Sequence, residues 1–244
     1  MKRVAVFTEG QSEQIFVRNM LMKLINNAHL SFECLSLRAG NLLPARFNFL
    51  SASAKIHFMI IDVGNDTRVT GAIREREHHL FAKGYERIIG LRDMYCDAYD
   101  RRSRGQVRAE VSQEIEGGII REIAEMSEPT KISVFFEIME FEAWILAMYD
   151  LFGRVDARLS VDYICGSVHL DLRSCDPETE FYRPSTTLKK VFAIIGMNYK
   201  KSASDIEMIC AVMTTADFES AIERGRCDAF KKFYSEIRTY VVES

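Results

Sequence analysis

Across its first 150 residues the chain alternates short apolar runs with longer stretches in which apolar positions return every three or four residues. Val4, Val6 and Phe7 form the first run, and Glu9 with Gly10 stops it. Phe16, Met20 and Leu24 then recur at four-residue spacing with Leu21 beside them, the mark of a helix that packs one face on a sheet. Further runs cover Phe32 with Cys34 and Leu35 to Leu37, then Phe58 to Ile61, Ile88 to Leu91, and Ile132 to Ile138. The run from Phe58 is continuous rather than alternating, as in a strand buried on both faces.

Between these runs the pattern predicts helices. One opens at Thr70 and is capped by Gly84; another carries Val107, Val111, Ile115, Ile119 and Ile123, with Gly117 and Gly118 expected to weaken or kink it. A third begins near Glu140. A short helix is expected from Ala45, just after Pro44, and a turn on Gly64, Asn65 and Asp66. Five strands alternating with helices predict an α/β fold: a Rossmann-like, mainly parallel sheet flanked by helices. Past Asp150 no strand is expected. Helices are predicted over Ser185 to Ile194, Asp205 to Met213, Asp217 to Glu223 and Asp228 to Val241, so residues 151–244 read as a helical C-terminal appendage to an α/β domain of residues 1–150.

Composition narrows the function classes. Apolar residues make up 48% of the 244, ample for a core, and 32 Lys and Arg against 35 Asp and Glu give a net charge of −3. No global positive field advertises nucleic acid, which leaves a local basic groove as the only electrostatic route to it. Six cysteines without two-residue spacing argue against a zinc ribbon or a disulfide framework and fit reduced thiols in the cytoplasm. No signal peptide or membrane-spanning apolar run is visible. The chain also lacks a Gly-x-Ser-x-Gly elbow, a Walker loop and a dinucleotide fingerprint.

The candidate chemistry is acidic. Glu9 ends the first strand and Glu13 follows one helical turn later, at the edge where open α/β sheets place ligands. Asp93 is delivered by a later strand, with Asp97 close behind it. Acids gathered there call for a cation, and Mg²⁺ or Mn²⁺ bound through oxygen is the simplest one. Such an ion suits phosphodiester hydrolysis. Solvated acids at a helix N-terminus account for Glu9 and Glu13 equally well. Asp62 reads first as a turn former, and Glu140 and Glu142 as helix-start charges, each a further ligand candidate. Arg101, Arg102 and Arg104 form the most basic loop, suited either to phosphate or to plain solubility. The Lys200–Lys201 pair offers phosphate contacts of the same kind, while Trp144, at helical spacing with Met148, reads as core.

The segment Phe7-Thr8-Glu9-Gly10-Gln11-Ser12-Glu13 between strand and helix resembles the opening motif of the TOPRIM superfamily. More narrowly, four pieces taken in order resemble bacterial TOPRIM-like proteins paired with ABC/AAA-type ATPases in phage-defence or abortive-infection systems. These are TEGQSEQIFVRNML, LRDMY, EFEAWILA and the Arg226-Cys227 segment with Phe230 and Phe233. The resemblance implies a Mg²⁺-dependent nuclease acting on DNA or RNA, with Glu9 as acid/base or metal ligand and Asp93 leading an Asp-x-Asp pair. Here the second position of that pair is Tyr95, so Asp97, Glu13 or Glu140 would complete the site. Otherwise the site is degenerate and the chain is a regulatory or docking subunit of an ATPase complex. Whether it forms a homo-oligomer stays open.

Overall fold

The computed structural model describes residues 1–64, 68–224 and 226–242. Asn65 and Asp66 of the expected turn therefore lie outside the described residues. The protein is α/β, with a six-stranded sheet in the order β3-β2-β4-β1-β5-β6. The strands are β1 (Lys2–Thr8), β2 (Leu30–Arg38), β3 (Asn41–Pro44), β4 (Ile56–Asp62), β5 (Arg87–Asp93) and β6 (Ile132–Glu137). β1 pairs in parallel with β4 and β5, and β2 in parallel with β4; β3 turns back antiparallel on β2. All five expected strands are present, together with an unexpected β3; the short helix expected from Ala45 does not form, and that stretch instead makes an isolated bridge from Phe49 to Phe32. Gly40, at φ 81°, makes the tight reversal, and Pro44 ends an outer strand where its missing N–H costs no ladder bond.

The helices are α1 (Gln11–Leu24), α2 (Val69–Ala82), α3 (Asp97–Ser103), α4 (Ala109–Ala124), α5 (Glu142–Ala147), α6 (Phe152–Val155), α7 (Val161–Val168), α8 (Pro177–Glu180), α9 (Pro184–Ala193), α10 (Ala203–Val212), α11 (Thr215–Glu223) and α12 (Asp228–Val242). α4 runs uninterrupted through Gly117 and Gly118. Among the described residues no strand follows β6, as the change of periodicity near Asp150 suggests.

The chain forms two compact units that are not contiguous in sequence. The first comprises Met1–Arg92, Ser112–Phe136 and Ser235–Ser244; the second comprises Asp93–Val111 and Glu137–Tyr234. The sequence suggests a boundary near residue 150, because the helical pattern changes there.

In the first unit, Ala5 and Phe7 of β1 meet Met59 and Ile61 of β4, and α2 covers them with Val69, Ala72, Ile73 and Leu80. Val4 and Val6 alternate onto the other face and are equally buried. Each such side chain contributes about 1.5–3 kcal/mol through burial. Gly90 of β5 permits the close approach of α2: a Cβ there would lie 2.9 Å from Val134 Cγ2 and 3.1 Å from Ile73 Cδ1 and Val69 Cγ1. Glu77, buried on α2, accepts the Ser127 N–H at both carboxylate oxygens and the Ser127 hydroxyl at one. That pins the chain entering β6.

The second unit is organised on Trp144, fully buried as its helical spacing suggests, with Phe230 and Phe233 of α12 at ring-centroid distances of 5.1 and 5.6 Å. Glu178 on α8 accepts hydrogen bonds from Trp144 Nε1 (2.8 Å) and from the Ala229 and Phe230 N–H groups (2.9 and 3.1 Å). It thus caps the first turn of α12 from a distant helix. Burial outweighs these donors and raises its pKa to about 7.

Two stability predictions follow from these contacts. Gly90→Ala is expected to cost about 1–3 kcal/mol by overpacking, measured by urea unfolding. For Glu178 the folded state holds its proton between about pH 4.5 and 7 while the unfolded state has lost it, so its contribution to stability falls as pH rises through that window and is flat above it. Glu178→Gln is expected to remove this slope from the difference between variant and wild type. It should also cost about 1–3 kcal/mol at pH 7.5, because an amide N–H₂ then faces a backbone or indole N–H.

Candidate metal centre

The Glu-Gly-Gln-Ser-Glu segment is set by the end of β1. Glu9 N–H donates to Leu91 O (3.1 Å), prolonging the ladder toward β5 by one bond, and Val63 N–H donates to Thr8 O (3.0 Å) on the other side. Thr8 Oγ1 donates toward Gly10 O and Ile61 O at 3.1 and 3.3 Å, a shared bond that tightens the turn. Gly10 leaves room beside it: a Cβ there would lie 3.1 Å from Glu13 Oε2 and press on the Glu13 carboxylate where it folds back over the turn. Gln14, also buried, donates from Nε2 to Leu35 O and Ile60 O, both at 2.8 Å, and fixes the start of α1 on the ends of β2 and β4. Nothing in the sequence marks this amide, since Gln14 is one polar residue among several at a helix start and only the structure shows it buried.

β5 and β6 are neighbours in the sheet, and each ends on an acid, Asp93 and Glu137. Met94 N–H donates to Glu137 O (2.8 Å) and Tyr95 N–H to Met139 O (3.0 Å), so the chain leaving β5 runs beside the chain leaving β6. The latter turns sharply: Met139 is fully buried at φ 65°, and Glu140 N–H bonds back to Ile138 O (3.1 Å). A buried non-glycine residue in the left-handed region stores about 1–3 kcal/mol.

Glu13, Asp93 and Glu137 come together here. One carboxylate oxygen from each lies within 4.8 Å of the other two, and the residues are 3%, 8% and 0% exposed. The donor set is all oxygen, which suits a hard divalent cation. The residues fit a metal; nothing in their geometry identifies which one.

The other candidates have different surroundings. Glu9 is half-buried on the turn and is not one of the three. Asp97 is exposed at the first position of α3. Asp62 is buried at the end of β4, where Arg38 Nη2 (2.8 Å) and Ser36 Oγ (3.4 Å) hold one of its oxygens. Glu140 accepts the Ser185 N–H (2.8 Å) and hydroxyl (3.0 Å) and so caps α9. Glu142 is fully buried and accepts from Tyr199 OH (3.0 Å) and Lys201 Nζ (3.2 Å). Lys201 Nζ also stands 3.9 Å from Asp93 Oδ2, which places a cation beside two acids of the second unit. Arg101 and Arg102 are exposed on α3 rather than in a loop, and Arg104 follows as its left-handed C-cap at φ 54°. Glu137 is not among the acids that the sequence singles out: it falls inside the expected strand Ile132 to Ile138, close to Glu140 and Glu142.

No protein-family model, no curated protein and no solved structure matches the chain. Fold and site define its class: a mainly parallel α/β protein with a buried acidic triad able to hold a metal ion at the carboxyl ends of its strands. Among the described residues no helix is long and apolar enough to cross a membrane.

Removing a ligand oxygen tests the centre directly. By isothermal titration, Glu137→Gln and Asp93→Asn are expected to weaken Mn²⁺ binding at least about tenfold, since each removes one anionic oxygen from a three-oxygen site. Both variants should melt at or above the wild-type temperature in EDTA, because like charges are relieved. Gly10→Ala is expected to weaken the ion by displacing Glu13 while leaving β1 intact.

Proposed function

We propose that the protein is a metal-dependent nuclease of TOPRIM type, hydrolysing phosphodiester bonds of DNA or RNA. The buried all-carboxylate group at the carboxyl ends of β5 and β6 supports this reading above every other observation. It lies near the point where the sheet changes direction: from β1 the chain passes to β2 and β3 at one edge, returns to β4 beside β1, and then crosses β1 to β5 and β6 on the other side. Glu13, Asp93 and Glu137 would hold Mg²⁺, or Mn²⁺ in its place. Bound there, the ion would polarise the phosphate and lower the pKa of the attacking water.

The chain's own groups supply the rest. Glu9, half-buried on the turn beside β5, has a carboxylate able to accept the proton of a water. Lys201, near Asp93, is placed to meet a phosphate oxygen with its ammonium group. Arg101, Arg102 and Arg104 present exposed guanidinium groups to the phosphate backbone. With the resemblance noted above, this suggests a cytoplasmic defence nuclease controlled by a partner ATPase.

A second reading is a catalytically degenerate docking subunit of such an ATPase complex. It draws on Tyr95 at the expected ligand position, and on Leu42, Leu43, Phe47 and Leu50, exposed on and after the outer strand β3. The two readings separate on purified protein. The nuclease is expected to cut single- or double-stranded nucleic acid with Mg²⁺ or Mn²⁺ and not with EDTA. Asp93→Asn and Glu137→Gln should each lower the rate by about 10²–10³-fold while circular dichroism stays unchanged. Cleavage that persists in both variants removes the nuclease reading, and stable association with the ATPase without any cleavage favours the second.

A further inference from the structure

The second unit contains a small aromatic and arginine surface that the metal centre does not use. Tyr95, two residues past Asp93, is half-buried and stands 5.8 Å from the half-buried Tyr182, ring centroid to ring centroid, at an interplanar angle of 79°. The two rings therefore make a corner instead of a closed stack. Exposed Arg183 lies with its guanidinium carbon 4.8 Å from the Tyr95 centroid and donates from Nη2 to Tyr95 OH at 2.6 Å.

This corner is rigidly held. Tyr182 OH donates to Asp100 Oδ1 and accepts from Ser103 Oγ (3.0 Å), which ties it to α3. Glu140 binds the backbone and side chain of Ser185, two residues past Arg183. The Tyr95 backbone is anchored on Met139 O. Five hydrogen bonds thus fix a surface whose outermost group is a cation.

The charge pattern points outward too. Arg154, Arg158, Arg173 and Arg224 of the same unit each pair with an aspartate at 2.5–2.8 Å. Arg101, Arg104 and Arg183 have no ion pair among the described residues. The two carboxylates that brace the corner are engaged by neutral donors, Asp100 by the Tyr182 hydroxyl and Glu140 by Ser185. An aromatic corner bordered by arginines with no acidic partner suits a ligand that is flat and anionic at once.

We propose that Tyr95, Tyr182 and Arg183 form a stacking clamp for an unpaired base of single-stranded nucleic acid, with Arg101 and Arg104 taking flanking phosphates. This deepens the nuclease reading and rests on it for the identity of the polymer. A duplex hides its base faces within its own stack, so only an unpaired base can lie on the Tyr95 ring. Arg183 already lies on the Tyr95 ring, so its exposed side chain swings aside to admit the base and then covers it with the guanidinium plane, exchanging its contact with the tyrosine for one with the base. Tyr95 follows Asp93 by at most roughly 7 Å of chain, so a clamped base leaves its own backbone within reach of the acids.

The clamp is tested in EDTA, where the metal centre is silent. Fluorescence anisotropy would compare a labelled 12-residue oligo(dT), the matching oligo(U) and a duplex of equal length. Wild type is expected to bind the single strands at least about tenfold more tightly than the duplex. Tyr95→Leu and Arg183→Ala should each lose about 10–100-fold on the single strand and little on the duplex, while Tyr95→Phe, which keeps the ring, retains most of the affinity. Independently of any variant, photo-cross-linking wild type to a 5-iodouracil-substituted strand should label Tyr95 or Tyr182. Equal binding of duplex and single strand, an unaltered Tyr95→Leu, or cross-links confined to other residues overturns the clamp. Metal-dependent cleavage that survives such a result leaves the nuclease reading standing; intact clamp binding without cleavage removes that reading and keeps the clamp.

Discussion

The constraint on which the structure turns is the burial of three carboxylates at the ends of adjoining elements. Removing an ion from water costs several kcal/mol even after relaxation, roughly, and like charges held this close add to that. A sequence under no demand for Glu13, Asp93 and Glu137 would place apolar residues at the carboxyl ends of such buried strands. The fold instead commits other groups to keeping these acids in place. Gly10 leaves room for the Glu13 carboxylate, Gln14 fixes the start of its helix, and a left-handed Met139 turns the chain away from Glu137. Lys201, shared by Glu142 and Asp93, supplies part of the opposing charge within the second unit.

Strand order explains why acids so far apart in sequence can meet. β1 is central, with β4 on one side and β5 on the other, and β6 beyond β5. Parallel pairing of β1 with β5 brings their carboxyl ends to the same edge of the sheet. Asp93 and Glu137 need only be the last residues of β5 and β6, while Glu13 follows β1 in the first turn of α1. The site's precision comes from ladder hydrogen bonds and not from loop conformation, which is the arrangement that holds catalytic or binding groups most tightly.

Much of this was legible because strand and helix periodicity are local properties. Five strands, the helix covering them and the C-terminal helices followed from apolar spacing alone. β3 was not legible: NLLP is four residues long and exposed throughout, so no buried face imposed an alternating pattern on it. The same limit applies to the arginines. RRSRG has the composition of a loop, and α3 forms there because Tyr99, fully buried, receives the Arg108 N–H at its hydroxyl, a contact between residues nine apart. Glu13 and Asp93 could be proposed from their positions after apolar runs. Glu137 escaped because it sits among three acids in six residues, and only the end of β6 separates its surroundings from those of Glu140 and Glu142.

Tyr95 is where resemblance and geometry bear on each other most closely. An Asp-x-Asp pair assumes that the strand continues, so that residues two apart project to the same face. Here β5 ends at Asp93, and Met94 and Tyr95 are drawn across to Glu137 and Met139 by their own N–H groups. A carboxylate at position 95 would follow that departing backbone, whereas Glu137, ending the neighbouring strand, already supplies an oxygen within reach of Asp93. In the proposed metal centre the third oxygen would come from β6, which leaves position 95 free to carry an aromatic ring. The tyrosine therefore need not mark a damaged site: the same displacement of the chain that removes position 95 from the acids brings its hydroxyl to Arg183.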